Sequence, residues 1–228
     1  AKRHAFILGG TGAVGQALLR HLVDSDKFSK IHAPTRRALG VEDKKVIPHD
    51  YAAFFHPWQL DVNVTDFFYC FGSTLKKAGD QTKFRELELH NAHQALVVAK
   101  QTGAHRFYLV SARNVSPHSW FPYLRVKAEV EKILKDHQFQ AFFIYRPSLL
   151  LAPREELRMG ELVAQKTLSP VAGILQRYMP TRSPVQADQV ARAMLTDALK
   201  GDEGLFVREN RQIIELASLI KQSKAKTK

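Results

Sequence analysis

The chain has 228 residues, 45% of them apolar and 25% charged, with a single cysteine, Cys70. A chain of this size buries roughly 70–75% of its unfolded surface, and this composition excludes a mainly disordered chain, a collagen and a disulfide scaffold. The net charge of +12 admits acidic partners, but the basic residues are spread out and part of the excess sits in the lysine-rich stretch Lys221–Lys228, so nucleic-acid binding is not expected as the main function.

Short apolar runs alternate with amphipathic stretches along the chain. Ala5–Leu8 reads as a buried strand ending in glycines. Val14, Leu18, Leu19 and Leu22 follow with helical spacing. Lys30–Pro34 and Lys45–Pro48 are two further short strands. Tyr51–Leu60 predicts a helix limited by Pro57. Val64–Phe71, rich in aromatics, predicts a strand buried on both faces. Phe84–Gln101 predicts a helix that Gly103 ends. Arg106–Val110 predicts a strand, Tyr123–Asp136 a helix and Ala141–Tyr145 a strand. After Pro147 the rhythm changes: helices are expected over Arg158–Leu168, Gln186–Leu199 and Gln212–Ile220, with a short strand at Gly204–Val207. Strand–helix alternation implies a doubly wound α/β domain, its mostly parallel sheet of six or seven strands covered by helices on both faces. The C-terminal third, about 151–220, is expected to be a small cap on a core of about 1–150, within one domain.

The first strand runs into Gly9-Gly10-Thr11-Gly12-Ala13-Val14-Gly15, which opens the first helix. Glycines at this turn tolerate positive φ and let a pyrophosphate approach the backbone, while the helix N-terminus offers N–H groups to phosphates. Strand, turn and helix in that order predict a dinucleotide site. The second strand then selects the dinucleotide. Its tip carries Arg36-Arg37 rather than an acid for a ribose 2′-hydroxyl, so NADP is expected over NAD; a pair of solvated surface arginines is the plain alternative. Asp50 ends the third strand and either binds an adenine amine or N-caps the helix expected from Tyr51 onward.

Tyr123 and Lys127 stand four residues apart on one helix face. An ammonium beside a phenol favours the phenolate and brings a group of pKa ~10 toward use as an acid or base. That spacing is common by chance. Its position carries the weight: Ser111 ends the preceding strand, where a hydroxyl can polarise a substrate carbonyl.

In order and position Gly9–Gly15, Ser111, Tyr123 and Lys127 resemble the atypical short-chain dehydrogenase/reductase superfamily. Phe28-Ser-Lys30, Arg36-Arg37, Phe71-Gly-Ser-Thr74, Lys77-Ala-Gly79, Tyr123–Val130, Arg146-Pro147-Ser148 and Val190–Leu195 are similar, more narrowly, to the Tat-interacting oxidoreductase-like family and its bacterial relatives. The resemblance implies a Rossmann-type core, bound NADP and reductase activity, with Gly72, Ser73 and Pro147 lining the cofactor. Two positions depart from the superfamily pattern. Ala112 follows Ser111 where a second serine is common, and the slot that often offers an Asn to a proton relay falls at Glu88.

No metal site is expected. His90 and His93 lie three apart on a helix but lack a third ligand in the motif. Cys70 reads as a small buried hydrophobe, and Arg154, Arg158, Arg177 and Arg182 as a solvated face. No apolar run approaches the roughly 18 residues of a membrane span, and Ala5–Leu8 is too short for a signal-peptide core, so a cytoplasmic protein without a membrane partner is expected. The leading reading is an NADP-dependent carbonyl reductase or dehydrogenase acting on a small carbonyl or alcohol. The rival is a non-catalytic NADP(H)-binding redox sensor that works through a protein or nucleic-acid partner.

Overall fold

The computed structural model describes residues 2–56, 62–73, 78–151 and 183–226. In chain order the elements are β1 (Arg3–Leu8), α1 (Ala13–Asp24), β2 (Phe28–Thr35), β3 (Val46–Asp50), a 3-10 turn (Tyr51–Phe55) and β4 (Asp66–Tyr69). There follow α2 (Gln81–Gln101), β5 (Arg106–Val110), α3 (Pro122–Lys135), β6 (Ala141–Arg146), β7 (Leu150–Leu151), β8 (Val185–Gln186), α4 (Ala187–Lys200), β9 (Gly204–Glu209) and α5 (Asn210–Lys226). The main sheet has seven strands in the order β3-β2-β1-β4-β5-β6-β9, and every neighbouring pair is parallel. This is the doubly wound α/β architecture expected from the alternation.

Side chains of a strand point to opposite faces in turn, and the two faces bury two apolar layers. Ala5 and Ile7 of β1 join Leu18 and Leu19 of α1, Val190 and Met194 of α4 and Ile213 of α5 on one face. Phe6 and Leu8 join Ala92 and Val98 of α2 and Val130 and Leu134 of α3 on the other. Aromatic rings ladder across the strands of the first face: Phe68 on Tyr108 at 4.4 Å, Tyr108 on Phe143 at 5.2 Å and Phe143 on Phe206 at 4.9 Å between centroids. Such cross-strand pairs hold the strands in register.

Two buried carboxylates pin the strands to each other. Asp66 of β4 accepts from Arg3 of β1 and from the Tyr108 hydroxyl of β5 at 3.0 Å. Asp197 of α4 accepts from the Tyr145 hydroxyl of β6 at 2.9 Å and from both Nε and Nη2 of Arg208 on β9, at 3.0 and 2.9 Å.

The structure differs from the sequence expectation in five places. The helix expected over Tyr51–Leu60 is a 3-10 turn of five residues, and residues 57–61 lie outside the described ones. The strand expected over Val64–Phe71 shortens to Asp66–Tyr69, because only those four residues pair with both β1 and β5. Helix α2 begins earlier than expected, at Gln81, where the Asp80 side chain caps it by accepting from the Lys83 N–H at 2.9 Å; Gly103, at φ +75, follows its end. The cap expected over 151–220 is corrected for its second half. β9 extends the main sheet beside β6, and α4 packs on α1, since β6 alone would leave an apolar edge open. The small parallel pair β7–β8 was not foreseen. The helix expected over Arg158–Leu168, and the four cap arginines, lie outside the described residues. Among the described residues no helix is long and apolar enough to cross a membrane.

Candidate functional site

Because the strands of the main sheet run in one direction, the residues after each strand gather on one rim. The glycine turn follows β1, Arg36 and Arg37 follow β2, Asp50 closes β3, Gly72 and Ser73 follow β4, Ser111 follows β5 and Pro147 follows β6. In open parallel sheets this carboxyl rim is where ligands lie. Thr74 and Lys77 of the matched β4 loop lie outside the described residues.

The glycines of the turn answer to different demands. Gly9 has φ +87, and a Cβ there would stand 2.7 Å from the backbone of Cys70 and Phe71. A Cβ on Gly15 would stand 2.1 Å from the Gly9 carbonyl oxygen. One on Gly10 would press on Leu39 at 3.1 Å and Leu19 at 3.3 Å. Gly12 is the exception: its backbone is extended, at φ −82, and its Cβ would meet only the Gly9 carbonyl oxygen, at an ordinary 3.4 Å. Nothing in the described protein therefore requires glycine at position 12, whereas a phosphate lying against the backbone does. Gly12 caps α1 without a side-chain hydrogen bond. The first N–H groups of that helix, from Ala13 and Val14 onward, keep the positive end of its dipole toward the rim.

Arg36 and Arg37 are both exposed and flank this turn. The Arg36 guanidinium lies over the Tyr51 ring at 4.9 Å, a cation–π contact. Arg37 donates from Nη2 to Thr11 Oγ1 at 3.4 Å, and its backbone N–H donates to Thr35 Oγ1 at 3.1 Å. Together with Thr35, Pro48, His49 and Asp50 the two arginines line an open cavity of about 630 Å³. Asp50 Oδ1 accepts from the Ala52 N–H at 2.9 Å, so one of its oxygens caps the 3-10 turn. His49 Nε2 and His32 Nδ1 share a hydrogen bond of 2.9 Å behind this cavity, and burial with the neighbouring His49 pushes His32 down to about 4.

Tyr123 stacks on Phe84 of α2 at 5.7 Å, and the Lys127 ammonium lies 6.0 Å from the centre of the Tyr123 ring. Lys127 is buried and donates to Glu88 Oε2 at 2.8 Å. The other Glu88 oxygen accepts the Ser73 N–H at 2.7 Å. Ser111 is buried too, and its hydroxyl donates to Glu131 Oε1 at 2.7 Å. Glu131 also accepts from Nε and Nη2 of Arg146, at 3.0 and 2.7 Å, and from Lys135 at 3.2 Å. Burial pushes the Glu131 carboxyl up, but hydrogen bonds from Arg146 and Ser111 outweigh it and hold the group below the usual range. Pro147 is buried, and its carbonyl accepts the Arg113 N–H at 2.9 Å.

Glu131, Tyr51, Thr35 and His49 were not among the candidates read from the sequence. Glu131 carried a readable signal, since it stands four residues from both Lys127 and Lys135 on one helix face. Tyr51, Thr35 and His49 carried none. Cys70 is partly buried and packs on the core, and burial pushes its thiol up to about 12. His90 stacks on Phe55 at 5.3 Å.

No family model matches the chain. Among known proteins it is similar to Protein HTATIP2 of Rattus norvegicus, with 30% identity over 222 residues, 94% of this chain and 89% of that one. It is also 30% identical over 194 residues to the mitochondrial protein FMP52 of Debaryomyces hansenii, covering 82% of this chain and 84% of that one. Among solved structures, MoeE5 in complex with UDP-glucose and NAD superposes with a TM-score of 0.66 at 15% identity, over 96% of this chain and 82% of that one. That likeness is one of fold. The expectation of a cytoplasmic protein does not stand, because several fungal FMP52 relatives are named mitochondrial. Identity at this level over nearly the whole of both chains places the protein in the family of HTATIP2 and FMP52, a Tat-interacting-protein-like branch of the atypical short-chain dehydrogenase/reductases.

Proposed function

We propose that this protein binds NADP(H) along the carboxyl rim and reduces a small carbonyl compound, or oxidises the matching alcohol. The observation that carries the reading is Gly12, the one glycine of the turn that the described protein does not need and a pyrophosphate does. Family membership and neighbours solved with NAD support a nicotinamide cofactor. Arg36 and Arg37, beside Thr11 and Tyr51, favour the 2′-phosphate form, since guanidinium groups bind phosphate oxygens in pairs. The pyrophosphate would lie on Gly10, Thr11 and Gly12 and on the N–H groups of Ala13 and Val14. Gly72, Ser73 and Pro147 would line the nicotinamide half.

The bound cofactor supplies hydride transfer. The chain supplies the proton and the positioning. Tyr123 donates the proton to the substrate oxygen, and Lys127 favours release of that proton and holds the nicotinamide ribose. Ser111 exchanges its hydrogen bond to Glu131 for one to the substrate oxygen, which polarises the carbonyl.

A second reading has one observation in its favour. The Ser111 proton is committed to Glu131 and the Lys127 ammonium to Glu88, an arrangement that also suits a NADP(H)-binding regulator without turnover, acting through a protein partner.

Two measurements test these readings. Fluorescence titration with NADPH and NADH is expected to give a 10- to 150-fold preference for NADPH, about 1.5–3 kcal/mol, the contribution of one charge-assisted hydrogen bond. The double change Arg36→Asp, Arg37→Ser is expected to erase that preference; equal affinities in the parent would show arginines that serve only solvent. A carbonyl library followed by NADPH absorbance then separates enzyme from regulator. For any compound turned over, Tyr123→Phe is expected to lower kcat by at least about 10²-fold. Full activity in that variant would remove Tyr123 as the proton donor.

A further inference from the structure

We propose that Glu88 is a positioning residue whose carboxylate keeps Lys127 in place at the rim and ties it to the Gly72–Ser73 loop; the inference rests on the cofactor reading above.

The geometry is that of a bridge with three abutments. Glu88 comes from α2, Lys127 from α3 and Ser73 from the loop after β4. Both Glu88 oxygens are used, Oε2 on the Lys127 ammonium at 2.8 Å and Oε1 on the Ser73 N–H at 2.7 Å. The ion pair is closed off from water, its side chains 3% and 0% exposed. The ammonium also lies 3.7 Å from where a Cβ on Gly72 would stand, so the lysine and the loop meet directly.

A buried ion pair is a poor device for stability alone, because desolvation offsets most of the attraction. It does supply a fixed charge at a fixed place. Burial is the largest influence on Lys127 and pulls its ammonium down; the charge and hydrogen bond of Glu88, with Tyr123 and Glu131, outweigh it and leave the group raised. Among the described residues the groups around the pair are few. Tyr123 and Glu131 face it from α3. From β4 the buried Tyr69 hydroxyl lies in the field of Glu88 and Tyr51, with no hydrogen-bond partner among the described residues. None of these is a second full counter-charge at contact distance. With Glu88 neutral, burial acts on Lys127 against weaker opposition, and its ammonium is expected to give up its proton more readily.

The test compares NADPH dissociation constants by nucleotide fluorescence from pH 6 to 9 in the parent, Glu88→Gln and Glu88→Asp. The ratio of Glu88→Gln to parent is expected to rise at least tenfold across that range as Lys127 deprotonates, while Glu88→Asp keeps a ratio that does not change with pH. A Glu88→Gln ratio that is large but independent of pH would mean a purely structural role and overturn the proposal. If Glu88→Gln does not fold, the double change Glu88→Gln, Lys127→Met is expected to restore a cooperative melt, because it removes the unpaired buried charge. A double variant that stays unfolded would show Glu88 serving the fold through Ser73 alone, which also overturns it. A parent that fails to bind NADPH at every pH overturns the cofactor reading itself, a result distinct from a parent that binds beside a pH-independent variant.

Discussion

Gly12 and Gly15 stand one helical turn apart, yet their substitutions should part company. Gly12→Val places a Cβ on extended backbone at an ordinary distance from its neighbour and is expected to leave the chain folded, at a cost of about 1 kcal/mol at the helix N-cap, while abolishing NADPH binding. Gly15→Ala drives a methyl into the Gly9 carbonyl and is expected to lower the melting temperature markedly. Thermal melts with a nucleotide titration of each variant check both, and a Gly12→Val protein that binds within about threefold of the parent would undo the phosphate cradle. His32 gives a pH dependence of known sign. Its folded value of about 4 lies below the ordinary 6.5, so between those values the unfolded chain takes up a proton that the folded chain refuses, and stability falls as pH drops through that window. Urea midpoints from pH 7 to 4 should show this slope, reduced in His32→Phe. The glycine turn, the arginine pair and Tyr123–Lys127 were legible in the sequence because each is a local pattern on one turn or one helix. The pairing of Lys127 with Glu88 and of Ser111 with Glu131 was not, since the partners stand 39 and 20 residues apart and only the fold brings them together.

Between elements, α1 and α4 are joined by more than apolar packing. His21 Nε2 lies 2.7 Å from Asp188 Oδ1, and Arg192 donates to the other oxygen at 2.8 Å. The hydrogen bond from His21 is the main cause that holds the Asp188 carboxyl down at about 2, against the ordinary 3.8. A depressed carboxylate contributes stability above its unfolded value and loses it as pH falls through the folded one, here from about 3.8 to 2. The side chain is 48% exposed, so solvent screening holds this to about 1 kcal/mol. Asp188→Asn is expected to cost that much at neutral pH and to flatten the acid limb of a urea-midpoint profile below pH 4. An unchanged limb would assign it to other carboxylates. The elements of the first 150 residues were readable because each carries its own period. The place of β9 was not: all six of its residues are only partly buried or exposed, so it reads as a stray strand until β6 is seen to need a neighbour. The pair β7–β8, two residues each, is too short to leave any period.

For the molecule as a whole, the seven strands close only with the last of them. A chain ended after Lys200 would lose β9 and α5, bare the edge of β6 and strip Asp197 of Arg208. It is expected to show no cooperative thermal transition by circular dichroism; a melt within about 5 °C of the full chain would make β9 dispensable. The contact of α4 with α1 also sets an order in time. The apolar face of α1 is made before its cover, which follows more than a hundred and fifty residues later. At the usual ~5–20 residues per second, Leu18, Leu19 and Leu22 wait on the order of ten to thirty seconds without their partner. During that interval the nascent chain offers a greasy helix to whatever holds unfinished chains, so the hazard for this protein in a cell is greatest before synthesis ends.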